Sequence, residues 1–280
     1  MSATPTADPT YDLDAIVRVA VTTDERPPRP SPLSTSLTFT WRALLKIRHV
    51  PEQLLDVTLF PVMFLLMFTF LFGGAVAGST GAYLQEVVPG ILVMQIAWIS
   101  MYTGHTLNRD ITKGVHDRFR SLPIWRPATL VGPLLADTVR YTLASVVILG
   151  LGWVLGFRPD AGLPGLLAGI AVLLGFSFGL SWIWTSAGLW LRSENAVFSV
   201  GNMVMFPLTF VSNVFVPVET LPGWLQGFVR VNPITLVVSS VRGFVHGTPD
   251  WSATTLVLVI SAGLVAVFGP LTMWLYRHPR

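Results

Sequence analysis

The chain of 280 residues contains no cysteine, which excludes disulfides, thiolate nucleophiles, thiolate-held metals and c-type haem attachment. Charge is scarce too. Only 12% of residues are Asp, Glu, Lys or Arg, against about 25% in soluble chains, so a water-facing surface cannot be covered. Lys46 and Lys113 are the sole lysines, and neither ends a Gly-x-x-x-x-Gly-Lys pattern, which removes a phosphate-cradling loop and ATP hydrolysis through one. The histidines at 49, 105, 116, 246 and 278 form no i, i+4 pair, so a zinc helix is excluded. A net charge of +3 and a pI near 9.6 would point to nucleic acid only if arginines clustered on a polar domain. They do not, and nucleic acid is set aside.

What is abundant is apolar sequence, at 52% of residues. About 20 consecutive apolar residues make one membrane-spanning helix, and six such runs occur, at about 57–77, 87–106, 138–157, 164–191, 196–217 and 253–276. A β-barrel would alternate over about ten residues instead; these runs do not. The expected fold is all-α and integral to the membrane. Residues 1–32, rich in proline, threonine and acidic groups, resemble neither a signal nor a transit peptide and read as a flexible cytoplasmic tail, leaving 33–280 as the transmembrane domain.

Positive residues near span ends stay cytoplasmic. Putting both termini inside assigns 15 of the 18 basic residues to the cytoplasm and leaves Arg158, Arg230 and Arg242 outside. The opposite orientation inverts that ratio.

Three connecting pieces have character. Residues 33–49 set Leu33, Leu37, Trp41, Leu44, Leu45 and Arg48 at helical spacing, with Arg42 and Lys46 on the wetter side, and Pro51 ends the pattern; this is expected to be an amphipathic helix on the inner membrane surface. Residues 107–137 carry Arg109, Lys113, Arg118, Arg120 and Arg126 and read as a cytoplasmic platform. Residues 217–252 are too apolar for free solvent, and Arg230 and Arg242 interrupt any crossing. Short re-entrant or interfacial helices are expected there.

Gly175-Phe176-Ser177-Phe178-Gly179 formally matches a nucleophile elbow. That motif needs a strand before it, and here it sits mid-span with no acid or histidine at its depth. Close helix packing through small residues, repeated at Gly165 and Gly169, is the better account. Asp137 and Arg140 lie three apart at the start of the third span, where an interfacial pair with a snorkelling arginine is expected. Uncharged polar groups are more suggestive of transport. In the fifth span Asn202, Phe206, Thr209 and Asn213 share a face with Met205 and Phe210 beside it; in the second, Gln95, Trp98 and Tyr102 do so with Met94 alongside. Interhelical hydrogen bonds explain such residues, and so does a translocation surface, because soft methionines, flat aromatics and a few amides suit large amphipathic molecules.

The stretch TWRALLKIRHVPEQLLDVTLFPVMFLLMF, the loop NRDITKGVHDRFRSLPIWRPATLVGPLLADTVR and the run VFVPVETLPGWLQGFVRVNPIT with the following VRGFVHG resemble the membrane subunits of type-2 ABC exporters. Within them they are similar to the daunorubicin/doxorubicin-resistance permeases, over roughly residues 34–276. The resemblance implies a six-helix permease of a bacterial plasma membrane, without a catalytic residue of its own. It pairs with a second permease, as a homodimer, and with two copies of an ATP-binding subunit that holds ATP and magnesium; the permease itself carries no cofactor or metal. It also implies a coupling helix between spans two and three, through which Arg109, Lys113, Asp117, Arg118, Phe119, Arg120 and Leu122 dock to the ATPase. The implied function is ATP-driven export of drugs, antibiotics or lipid-like compounds by alternating access. Export of a polysaccharide or glycolipid is the alternative on the same fold.

Overall fold

The computed structural model describes residues 31–49, 51–115, 125 and 127–278, and no strand occurs among them. The tail expected over residues 1–32 falls outside this range apart from Ser31 and Pro32. So do Asp117, Arg118, Phe119, Arg120 and Leu122.

Helix α1 spans Pro32–His49, α2 Pro51–Ala77, α3 Thr80–Thr112, α4 Ala128–Leu155 and α5 Gly162–Trp190. They are followed by α6 over Glu194–Phe210, α7 over Gly223–Val231, α8 over Pro233–Val245 and α9 over Trp251–Arg277. Helices α2, α3, α4, α5 and α9 are each long and apolar enough to cross a bilayer, while α7 and α8 form a pair bent by 76° that raises the number to six if counted as one span. The fifth expected span, 196–217, behaves differently from the others. Its helix α6 has 17 residues, about 25 Å at 1.5 Å per residue, and stops after Pro207, leaving 211–217 without helix.

Helix ends explain why the spans outrun their expected bounds. Gly78 turns with φ +71°, Ser79 caps α3 by accepting the Ala82 N–H at 3.1 Å, and a Cβ on Gly73 would lie 2.9 Å from Thr80 Cα. The glycine-rich piece after the first span is therefore a hairpin of helices, with two residues between them. On the opposite side α3 runs on to Thr112 and α4 starts at Ala128, so residues 107–112 and 128–137 of the expected platform are the ends of two spans. Apolar side chains hold those ends: Leu107, Leu130 and Tyr276 make a small cluster, and Thr129 donates to the Tyr276 hydroxyl at 3.2 Å.

Helix α3 is the axis of the molecule. Of its most apolar window 89% is buried, and α2, α4, α5, α6 and α8 all pack on it. Two glycines let α5 approach backbone to backbone. A Cβ on Gly104 would stand 2.1 Å from Trp184 O and one on Gly188 would stand 2.4 Å from Gly104 O, which is the small-residue mode of membrane helix packing. Gly165 serves the same purpose against α8, where Phe244 O lies 2.3 Å from the site of a Cβ, while Gly175 faces open space. Ser177, inside α5, is thus a packed helical residue. No strand precedes it, and the nucleophile-elbow geometry is absent from this segment.

Candidate functional site

Helices α2 and α6 flank a groove of about 390 Å³ whose floor is α3. From α3 come Met94, Gln95, Trp98, Ile99, Met101 and Tyr102; from α6 come Phe198, Asn202, Phe206 and Phe210; from α2 come Phe60 and Phe64. The α6 contribution is a strict i, i+4 stripe, one row of a helix surface. Its three phenylalanines stay exposed because α6 packs on α3 through a different face, where Gly201 meets Met101 and Met205 is fully buried.

The sequence reading is divided by this geometry. Met94, Gln95, Trp98, Tyr102, Asn202, Phe206 and Phe210 converge on the groove. Met205, Thr209 and Asn213 do not. Thr209 is buried between α6 and α3, accepting the Trp98 Nε1–H at 3.3 Å and donating to Met205 O at 2.7 Å. Asn213 lies past the helix end and donates through Nδ2 to Ser239 Oγ at 2.9 Å. Counting one face as 202, 206, 209 and 213 merged two neighbouring rows. Phe60, Phe64, Ile99, Met101 and Phe198 also line the groove and were missed; the Phe60, Phe64, Phe68, Phe72 repeat at four-residue intervals was the available signal.

Aromatic rings organise the wall. Trp98 meets Phe206 edge-on with centroids 6.5 Å apart, and Phe206 stacks on Phe210 at 4.4 Å. At one end His105 contacts Tyr102 and Phe198 edge-on and approaches Glu194 at 3.7 Å. Among the described residues the groove lining contains no Asp, Glu, Lys or Arg, so it offers flat apolar faces with two amides, Gln95 and Asn202.

A second polar site lies where α1, α3 and α4 meet. Arg140 pairs with Asp137 at 2.8 Å, Thr103 donates to the other Asp137 oxygen, and the two charged residues are only 3% and 8% exposed. The expected snorkelling arginine is instead an internal one, because α3 and the Phe39 side of α1 cover it. A narrow cavity of about 40 Å³ beside the pair is also lined by Arg42 and Asp110. Helix α1 joins through its small-residue face. Thr40 donates to Gly132 O at 3.2 Å, and a Cβ on Gly132 would sit 2.4 Å from Phe39 Cβ. Leu33, Leu37, Trp41 and Leu45 point outwards, as an interfacial helix requires.

Of the residues expected to meet an ATPase, Arg109 is in the last turn of α3 and Lys113 is its C-cap, exposed beyond the helix end. Among the described residues no group of three or more His, Asp or Glu could hold a metal ion.

At the far end of the groove the segment 211–217 is irregular yet buried over 212–215, with Val214 fully enclosed. Unpaired backbone groups at such depth are costly, and side chains from elsewhere satisfy them. Asn232 donates to Leu208 O and Val211 O at 2.8 and 2.7 Å. Tyr83 donates to Phe215 O at 2.9 Å, and Arg242 donates to Val214 O at 3.2 Å while pairing with Glu86 at 3.2 Å. Sequence reasoning read Arg242 only as an obstacle to crossing; its partner Glu86 comes from 156 residues earlier in the chain.

Comparison with known proteins agrees with this architecture. The ABC-2 type transporter family matches residues 36–245. The chain is 46% identical over 279 residues, 99% of both proteins, to the daunorubicin resistance ABC transporter permease protein DrrB1 of Streptomyces coeruleorubidus. It is 30% identical over 210 residues, 74% of this chain and 75% of the relative, to the probable doxorubicin resistance ABC transporter permease protein DrrC of Mycobacterium tuberculosis. It is 22% identical over 220 residues, 74% of this chain and 80% of the relative, to the inner membrane transport permease YadH of Escherichia coli. A buried helical axis, several apolar spans and the match over most of its length together make this chain a member of the ABC-2 type transporter family.

Proposed function

We propose that the chain is the membrane-spanning subunit of an ATP-driven exporter that moves drugs, antibiotics or other amphipathic compounds out of the cell. The observation that carries this reading is the groove between α2 and α6, apolar, aromatic and, among the described residues, free of ionised side chains along its lining. Such a surface binds flat or lipid-like molecules by area and stacking. Sugar chains need many hydrogen-bonding groups, and the amides of Gln95 and Asn202 are few, which favours amphipathic cargo over a polysaccharide. Daunorubicin, from the name of the relative in Streptomyces coeruleorubidus, is the natural first probe.

Both termini lie in the cytoplasm, following the bias of basic residues. Helix α6 with the 211–217 segment completes a fifth crossing, and the bent α7–α8 pair returns to the outer face as a re-entrant element. Its exposed Trp224, Phe228 and Val231 suit the lipid interface. A second copy of the permease faces the open side of the groove, where Met203 of α6 and Leu71 of α2 are uncovered. ATP and magnesium are held by two ATP-binding subunits beneath.

Alternating access follows from the axis. Arg109 and Lys113 stand at the ATPase end of α3, and with residues 117–122 they receive the movement of the nucleotide-driven subunits. Thr103 couples α3 to the Asp137–Arg140 pair on α4, and at the opposite end Tyr83 and Glu86 reach the outer segment through hydrogen bonds and Arg242. One continuous helix thus touches both ends of the path. The permease binds cargo and switches between two packings; it makes and breaks no bonds.

The test is co-reconstitution with the ATP-binding subunit in lipid vesicles, following ATP-dependent daunorubicin movement. Replacing Arg118 and Arg120 with alanine should alter ATP turnover by the complex. Unchanged association and turnover would remove the docking role, and movement of daunorubicin by the permease alone would remove the ATP-driven reading.

A further inference from the structure

Beyond the groove, the rings continue into the pinned segment. Phe215 stacks face to face on Phe68 of α2 with centroids 4.0 Å apart and tilts against Phe210 at 5.5 Å, while Phe68 is flanked by Phe64 and Phe72 at 5.9 and 5.2 Å. Phe64 and Phe210 line the groove; Phe68 and Phe215 do not. The stacked pair therefore continues the aromatic wall just past the groove's end remote from Arg109 and Lys113. We infer that Phe68 and Phe215 are the outer gate of the translocation path, and that Tyr83 is the residue that positions it shut.

Three observations carry this. The α6 helix ends at Phe210, so Phe215 rides on a segment that is not tied into a helix ladder and can change course without breaking one. The segment's carbonyls are held by side-chain donors from other elements: Tyr83 on Phe215 O and Arg242 on Val214 O. Such bonds are exchangeable for others when those elements shift, unlike bonds within a helix. Finally, Val214 seats directly on α3, where Gly90 leaves room for its carbonyl 2.3 Å from the position a Cβ would take. Displacement of α3 is thus felt by the gate at once. A molecule leaving the groove outwards must part Phe215 from Phe68, and the flat ring faces that part are themselves a surface on which an aromatic cargo can stack.

The gate rests on the exporter reading above, and the experiment separates the two. The native chain has no cysteine, so the Phe68→Cys, Phe215→Cys double variant carries the permease's sole thiols. The complex with the ATP-binding subunit is placed in vesicles, loaded with daunorubicin, and treated with a short, reductively cleavable bis-thiosulfonate cross-linker; the native permease receives the same treatment. ATP-driven transport should fall at least tenfold in the cross-linked variant alone and return on reduction. A cross-linked variant that transports at its reduced rate overturns the gate. If the native complex moves no daunorubicin, the exporter reading falls and takes the gate with it. Should the double variant not reach the membrane, Tyr83→Phe, which deletes one hydroxyl, is expected to raise ATP-independent daunorubicin leak several-fold. Leak equal to that of the native chain overturns the positioning role.

Discussion

The groove between α2 and α6 and the junction of α1, α3, α4 and α5 sit on the same helix axis and are built on opposite principles. The groove is lined by rings that are for the most part only partly covered by the subunit, and among the described residues its polar groups are uncharged. The junction has glycine backbones in contact, an enclosed Asp137–Arg140 pair and caps such as Asn108, whose Nδ2 donates to Gly188 O and Leu191 O at 2.9 and 2.7 Å. A surface that admits varied cargo gains from side chains free to adjust. A joint that transmits movement over tens of ångströms must not yield, since packed interfaces switch between discrete arrangements rather than deform smoothly.

That contrast breaks most clearly at the ion pair. Asp137→Ala leaves Arg140 buried beside Tyr141 without its partner, and removing one member of a buried pair costs about 3–5 kcal/mol. The thermal midpoint of the purified permease should fall steeply. The double change Asp137→Leu, Arg140→Met should recover most of that stability, because an apolar pair of similar volume removes the stranded charge. If the single change left the midpoint untouched, the junction would not be the rigid element described.

Glycine positions sharpen the comparison with a smaller effect. Gly104→Ala drives a methyl into Trp184 O, and overpacking of this kind costs about 1–3 kcal/mol, felt as a separation of α3 from α5. Gly175→Ala, on the same α5 but facing open space, should instead gain about 0.5–1 kcal/mol from helix propensity. Equal effects from the two changes would show that the backbone contact contributes nothing.

In the groove the expected loss is in transport, with stability nearly unchanged. Phe206→Ala deletes the ring between Trp98 and Phe210, and an aromatic contact contributes about 0.5–1.5 kcal/mol, which is about 2- to 12-fold in half-saturating daunorubicin concentration. A fall in thermal midpoint as large as that for Gly104→Ala would mean that the groove is ordinary core.

How much of this was legible differs between the two regions for a physical reason. Spans and the amphipathic α1 follow from hydropathy, a sum over many residues, so a helix covers each expected run, although α3 and α4 outrun theirs and α6 stops short. The groove was half legible, because i, i+4 rows on α3 and α6 are written in one segment each; the error was to place Thr209 with Asn202 although it belongs to the neighbouring row that packs on Trp98. The partnership of Arg242 with Glu86, or of Asn232 with Leu208 O, was not legible at all. Such contacts join residues far apart in sequence through backbone carbonyls, which carry no side-chain signature. The early stop of α6 has a local cue in Pro207, yet the buried path that follows depends on donors supplied by α3 and α8.

The smallest expected effect lies outside both regions and calibrates them. Asp250 caps the start of α9, accepting the N–H groups of Ser252 and Ala253 at 3.0 Å each. The backbone bond from Ala253, followed by the Ser252 hydroxyl, holds its carboxyl below the usual carboxylate range. A lowered folded-state pKa means that the charged cap stabilises fully above the unfolded value of about 3.9, and that this contribution is lost as pH falls through the lower folded value. Asp250→Ala should cost about 0.5–1 kcal/mol at neutral pH, the lower part of the N-cap range, since the group is exposed to solvent. The native-minus-alanine difference in thermal midpoint should shrink below pH 4. Asp250→Asn, which keeps an acceptor without a charge, should show no such decline relative to alanine. A native difference that stayed constant from pH 7 to pH 3 would mean that the carboxylate's charge plays no part in the cap, and the ordinary cost of losing a helix end would have to be recalibrated before the junction and groove effects were compared with it.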